Sequence, residues 1–240
     1  MSLVRKLALA GRAEPVDVAV YGDLHARLYP TTNRCEKRMF VGERTWDADE
    51  REALAAALVT ADRTRPFVFI DGGANVGMYS LFAIAEARRI GWPIRVICVE
   101  PDPTNLGRLR DNLAASAAHE ASVAPVALGA KAGTIRIDSD QTNRGEVRVS
   151  ETGAVEVAME TLQAVLAEGG VDHVDALKLD IEGHELPVLT AFFDTAPKPL
   201  WPRLILLEVS KHGDTPAYDL CLARGYKLAK RTRINALLGL

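Results

Sequence analysis

Cysteine is scarce and carries no pattern: only three occur in 240 residues, and Cys35, Cys98 and Cys221 are widely spaced and odd in number. That argues against a disulfide framework or a zinc site and points to a reducing, cytoplasmic protein. Excess charge is also missing. The balance of 29 basic and 32 acidic residues leaves a net charge of −3, and no basic patch is interleaved with aromatics, so nucleic acid is not the expected partner. The group Lys227, Lys230, Arg231 and Arg233 reads as a solvated edge strand. No uncharged stretch approaches the length that spans a bilayer. The apolar run Leu7 to Ala10, within the basic start Met1 to Gly11, is too short for a secretory core. Internal repeats and low-complexity linkers are lacking as well. What remains, 48% hydrophobic and 25% charged residues, suffices for one large core. Residues 61–240 are expected to form an α/β domain, with residues 1–60 as an N-terminal extension or cap.

From Phe67 onward, strand-like and helix-like segments alternate, the pattern of a mostly parallel sheet covered on both faces. Phe67 to Asp71 predicts the first strand, Val76 to Ile90 a largely buried helix, and Ile94 to Glu100 the second strand. Pro103 to Ala118 predicts a helix with proline in its first turn, and Val123 to Leu128 the third strand. Gly133 to Asp138 and Glu146 to Ser150 alternate apolar and polar residues around Gln141 to Gly145, which suits a hairpin or lid. Glu160 to Glu168 reads as an amphipathic helix, Ala176 to Asp180 as the fourth strand, His184 to Phe193 as a helix and Leu204 to Glu208 as the fifth strand. A helix near Tyr218 to Arg224 and strand material from Tyr226 to Ile234 follow.

The first strand runs into Asp71-Gly72-Gly73-Ala74-Asn75-Val76-Gly77, whose spacing is D-x-G-x-x-x-G and not the G-x-G-x-x-G of a dinucleotide site. A pyrophosphate needs bare backbone N–H groups at a helix N-terminus, and a carboxylate there repels it. S-adenosylmethionine brings a sulfonium and an ammonium instead, which Asp71 would favour directly or through water. Gly73 and Gly77 let the backbone pass close to the cofactor's amino-acid portion and the helix pack near the strand. The second strand ends in Glu100-Pro101, 29 residues after Asp71, where a carboxylate can accept hydrogen bonds from both ribose hydroxyls. Ala127 and Leu128, closing the third strand on the same rim, complete the expected cofactor set of Asp71, Gly72, Gly73, Ala74, Asn75, Gly77, Glu100, Pro101 and Asp180.

A second cluster, Leu177-Lys178-Leu179-Asp180-Ile181-Glu182-Gly183-His184-Glu185, puts Asp180, Glu182, His184 and Glu185 at another strand end. Glu208 closes the apolar run Leu204 to Leu207. In open α/β sheets the ligand crevice lies beyond the carboxyl ends of the strands, so four acids are expected on one rim. Glu182 and Glu185 could equally serve the following helix dipole.

Taken in order, Ile70 to Gly77, Val99 to Pro103, Leu177 to Glu185, Leu206-Leu207-Glu208 and the Arg224-Gly225-Tyr226 turn resemble the FkbM family of S-adenosylmethionine-dependent methyltransferases, over about Phe67 to Tyr226. The resemblance implies the class I (Rossmann-like) methyltransferase fold, a seven-stranded, mostly parallel sheet with helices on both faces. It also implies O-methylation of a hydroxyl, commonly of a sugar or polyketide-type molecule in bacterial secondary metabolites or glycoconjugates. Gly72 stands where the family commonly has a small β-branched residue, which is expected to loosen the turn.

Methyl transfer is an in-line displacement for which positioning supplies roughly 7 to 11 kcal/mol and a base roughly 10² to 10⁴ in rate. Asp180, His184 and Glu208 are the expected catalytic group, with His184 favoured as base because histidine ordinarily titrates near neutrality. Asn143 and Arg144 in the candidate lid, together with Glu182, are expected to contact the acceptor, Arg144 gripping any anionic group. The segment Tyr29 to Trp46 could cap the crevice or simply pack on the surface. Mg²⁺ bound by the acids is a less favoured alternative to a metal-free site. A non-catalytic adenosyl-binding protein and a nicotinamide oxidoreductase stay open, as does a homo-oligomer.

Overall fold

The computed structural model describes residues 13–140, 143–149, 153–209 and 215–240. The Met1 to Gly11 run, Gln141 and Thr142 of the candidate lid, and the side chains of Asn143 and Arg144 lie outside the described residues.

The central strand β3 (Phe67–Gly72) is buried along its whole length and pairs in parallel with β4 (Ile94–Val99) on one side and β10 (Ala176–Leu179) on the other. β4 leads to β5 (Ala121–Ala124), and β10 to β11 (Leu204–Glu208), both in parallel. The far edge is antiparallel: β13 (Asn235–Gly239) lies between β11 and β12 (Lys227–Arg231). The resulting order is β12-β13-β11-β10-β3-β4-β5, a class I methyltransferase sheet.

Successive side chains of β3 point to opposite faces, and this splits the core in two. Phe67 and Phe69 pack with α2 (Ala48–Thr60), α3 (Met78–Arg89) and α4 (Pro103–Ala115) through Leu54, Leu58, Leu81, Ile84 and Leu109. Val68 and Ile70 face α5 (Leu162–Glu168), α6 (Glu185–Thr195) and α7 (Pro216–Ala223) through Leu162, Val165, Leu189, Phe192 and Cys221. Each of these fully buried β3 side chains contributes roughly 1.5 to 3 kcal/mol.

The N-terminal residues are more than a tail. β1 (Val16–Val20) and β2 (Leu24–Leu28) form an antiparallel hairpin. It is tied to α4 by hydrogen bonds from the Arg27 backbone to Asn112 Oδ1 at 2.7 Å and from the His25 backbone to Ser116 Oγ at 3.0 Å. α1 (Arg34–Gly42) follows, and Leu28, Met39 and Trp46 join the same apolar cluster as Phe67.

Three expected elements differ. The third strand stops at Ala124, because Pro125 cannot continue the ladder. Ala127–Leu128 turn away as β6 and pair with β9 (Val155–Glu160), which β7 (Gly133–Asp140) and β8 (Asn143–Val149) extend into a second, four-stranded sheet. Glu160 ends β9, and the helix expected from it begins only at Leu162, where the Thr161 hydroxyl caps the Ala164 N–H. Of the strand material expected from Tyr226 to Ile234, only Lys227–Arg231 forms a strand, β12; the chain reverses at Thr232 to Ile234 and a further strand that was not expected, β13, runs back beside it.

Candidate active site

The chain order reverses between β3 and β10, the switch point at which α/β sheets open a crevice. A cavity of about 350 Å³ lies there, beyond the carboxyl ends of β3, β4, β10 and β11. Its floor is the turn after β3. The Gly73 and Ala74 amides both donate to the Val99 carbonyl, at 3.0 and 2.9 Å, folding the turn over β4. At Gly73, φ is 73° and a Cβ would stand 1.9 Å from the Asp180 carbonyl oxygen, so only glycine lets this turn approach β10. Gly77, at φ 87°, opens α3 with no room for a Cβ against Leu109. Gly72 does not loosen the turn as expected. It ends β3, and a Cβ there would lie 3.0 Å from both the Lys178 carbonyl oxygen and Leu179 Cδ1, so it permits tight packing of β3 on β10.

The acids separate into distinct surroundings. Glu100 borders the cavity and accepts from the Asn75 and Asp102 backbone amides at 2.8 and 3.0 Å. Burial nevertheless pushes its carboxyl up to about 7. Asp71 is 0% exposed and does not line the cavity. It accepts from Ser80 Oγ at 2.7 Å and faces Lys178 Nζ at 3.6 Å, so it reaches the cavity only through Lys178. That lysine, 7% exposed, also stands 3.5 Å from Asp180 and donates to the Gly73 carbonyl at 3.0 Å. Burial disfavours its charge, but Asp180 and Asp71 outweigh burial and hold the ammonium above the usual lysine range.

Asp180, Glu182, His184 and Glu208 all line the cavity. Glu208 is raised to about 9, first by burial and then by the charges of Asp180, Glu182 and Glu185, and it shares a hydrogen bond with Asp180. His184 stands at the N-terminus of α6, and its Nδ1 is buried with no hydrogen-bond partner among the described residues. Glu185 acts locally, where its carboxylate accepts from the Ile181 and Gly183 amides at 3.0 and 3.3 Å and closes the turn between them. Gly73, Ala74, Asn75, Pro101, Ala127 and Leu128 border the cavity, whereas Gly72 and Gly77 do not.

The opposite wall comes from two distant parts of the chain. Arg38 and Asp47 pair at 2.6 Å, the Tyr79 hydroxyl donates to Asp47 at 3.2 Å, and the Trp46 and Tyr79 rings meet edge to face at 4.8 Å. Arg34 and Cys35 complete that side, and Arg233 to Asn235 close it from the β12–β13 turn. β8 runs beside α1. Sequence reasoning missed Lys178, Tyr79, Asp47 and Arg233. Lys178 did carry a signal, a lone charge inside the apolar strand Ala176 to Leu179, which a buried strand keeps only with partners. The others carried none.

A model of the methyltransferase FkbM domain matches residues 71–228. No curated protein matches the chain. Among solved structures, methyltransferase FkbM from Methylobacillus flagellatus KT aligns at 17% identity over 85% of this chain and 54% of its own, with a TM-score of 0.49. The chain thus spans about half the length of that structure. An SAM-dependent methyltransferase from Agrobacterium tumefaciens aligns at 14% identity over 85% of this chain and 56% of its own, TM-score 0.46. A putative RNA methyltransferase from Pyrococcus horikoshii aligns at 14% identity over 82% and 84%, TM-score 0.43.

Proposed function

The chain belongs to the FkbM methyltransferase family, and from that premise we propose that it methylates a hydroxyl oxygen of a small molecule, a sugar, glycoconjugate or polyketide-type product, using S-adenosylmethionine. The observation that carries this reading is a single cavity with Glu100 and the Gly73–Asn75 turn on one side and Asp180, His184 and Glu208 on the other. The residues suit the cofactor. Glu100 accepts from the Asn75 and Asp102 amides and from the Asn105 side chain, which leaves lone-pair capacity on the carboxylate for the ribose. Asp180 and Glu182 set carboxylates on the rim, where they favour a sulfonium and an ammonium. When bound, S-adenosylmethionine supplies a methyl group already activated by its positive sulfur.

This chain's residues orient the acceptor and take its proton. Glu208, protonated at neutral pH by its surroundings, donates to Asp180 and holds that carboxylate in place, so it is not the base. His184 remains as proton acceptor: the hydroxyl oxygen gains the methyl group and its proton passes to the imidazole. Asn143, Arg144 and Glu182 are the residues assigned to contact the acceptor, Arg144 meeting any anionic group. Within residues 1–60, the described part from residue 13 onward acts as the cap of a domain formed by residues 61–240.

Titration calorimetry with S-adenosylmethionine and S-adenosylhomocysteine, with NADH as control, tests the cofactor; labelled methyl transfer to sugar, polyketide and RNA acceptors tests the reaction. Saturable binding of the first two ligands and transfer to a hydroxylated small molecule are expected. Binding of NADH alone would establish the oxidoreductase reading in its place. Cofactor binding without transfer to any acceptor would leave a non-catalytic adenosyl-binding protein, and transfer to RNA alone would refute the small-molecule acceptor.

A further inference from the structure

Asn33 lies outside the residues matched by the family and does not border the cavity, yet it governs a residue that does. It is 1% exposed. Its side-chain oxygen accepts from the Cys35 and Glu36 amides at 2.9 and 3.2 Å and so caps α1. With its oxygen committed to two backbone donors, the amide can turn only its NH2 the other way, and Asn33 Nδ2 donates to Asn75 Oδ1 at 2.8 Å. That contact fixes Asn75 in turn. Its oxygen faces Asn33, and its Nδ2, which hydrogen-bonds to no group among the described residues, is left for the cavity that Asn75 lines. The Asn75 backbone is held as well, at φ 52°, by donation to Glu100.

We propose that Asn33 is a positioning residue for cofactor binding: by locking the amide orientation of Asn75 it aims a hydrogen-bond donor at the carboxylate of the cofactor's amino-acid portion. The inference rests on the cavity being an S-adenosylmethionine site. A hydroxyl can donate or accept and is served by either face of an amide, but a carboxylate only accepts and is served by the NH2 face alone. Bonds to an ionised partner are also about twice as strong as neutral ones. Asn75 in the reverse orientation would set an oxygen against that carboxylate. The sequence of contacts Asn33, Asn75, Glu100 therefore sorts donors from acceptors along one edge of the cavity.

Asn33→Ser retains a capping oxygen but is too short to reach Asn75, and Asn33→Asp retains both cap and reach but cannot donate. Asn75→Asp removes the donor directly. Calorimetric titrations of the native chain and the three variants would use S-adenosylhomocysteine and 5′-methylthioadenosine, which shares the adenosine and sulfur but lacks the amino-acid portion. The expected result is affinity for S-adenosylhomocysteine weakened about tenfold in each variant, equal to about 1.4 kcal/mol, with methylthioadenosine binding unchanged. Equal weakening of both ligands would mean a general loosening of the turn and overturns the assignment. So does native affinity for S-adenosylhomocysteine in folded Asn33 variants or in Asn75→Asp. If the native chain binds neither ligand, the cofactor reading itself fails and takes the inference with it.

Discussion

Replacing Lys178 with methionine tests whether one buried cation holds the site together. The substitution keeps an unbranched chain of similar length in β10 but deletes the charge that faces Asp71 at 3.6 Å and Asp180 at 3.5 Å, and the donor to the Gly73 carbonyl at 3.0 Å. The two acids do not suffer equally. The Asp180 side chain is 42% exposed, so water screens it and its share of the pairing is small. Asp71 is fully buried, its Oδ1 makes no hydrogen bond, and Ser80 alone would remain to it. Breaking a buried pair by removing one member is worth about 3 to 5 kcal/mol, and here nearly all of it falls on Asp71. With a urea m-value of about 2 kcal/mol/M, the midpoint of unfolding at neutral pH should drop by about 2 M. Asp71→Asn added to Lys178→Met removes the stranded charge and should restore most of the loss. Affinity for S-adenosylhomocysteine should fall in both variants, because the Gly73 carbonyl has lost its donor. A loss of stability below about 1 kcal/mol in the single variant, or no recovery in the double, would refute the account of Lys178 as the partner of Asp71.

Two further outcomes are expected. His184→Ala should lower turnover by roughly 10² to 10⁴ while leaving S-adenosylhomocysteine affinity unchanged; parallel loss of both would remove the imidazole from the role of base. Glu100 gives a pH dependence of defined sign. Its carboxyl is raised from 4.5 to about 7 by burial, whereas ribose hydroxyls need the ionised form as acceptor. Binding must then expel a proton, so affinity should tighten by up to tenfold per pH unit as pH rises toward 7 and level off above it. The same group stabilises the ligand-free fold fully below pH 4.5 and loses that contribution as pH approaches 7. Glu100→Gln should abolish both slopes, and a pH-independent affinity in the native chain would refute the assignment.

The parts of the site that could be read in the sequence are those fixed by backbone direction. A residue that ends a parallel strand must sit on the carboxyl rim, which is why Glu100, Asp180 and Glu208 meet at one cavity. The turn glycines were legible for the same reason. Whether a strand-end acid faces that cavity or the core depends on neighbours it acquires on folding. Asp71 was expected beside the cofactor but is enclosed by Ser80 and Lys178, and no local pattern announces that enclosure. Of the opposite wall, the segment Tyr29 to Trp46 was legible only as one of two alternatives, and it does bring Arg34, Cys35, Arg38 and Trp46 to the cavity; Asp47, Tyr79 and Arg233 were illegible because the wall joins segments nearly 190 residues apart. In the fold, the parallel core followed from alternation, while the break at Pro125 was hidden in the apolar run Val123 to Leu128, and the reversal at Thr232 to Ile234 carries neither glycine nor proline to mark it.

Strand β12 has a single neighbour in the sheet, β13, and β13 comes after it in the chain. The edge is thus synthesised before the strand it must dock on. Until Asn235–Gly239 settle along Leu204–Glu208, residues 227–231 have no sheet to join, and β11 presents an open ladder of the kind that invites pairing with other chains. β13 and β12 therefore complete the sheet as one antiparallel hairpin, over a short reversal, on the edge of a parallel core. A chain shortened by residues 235–240 would lose not one strand but two, and Glu208, held at its rim position by register with Asn235, would lose its place in the cavity with them.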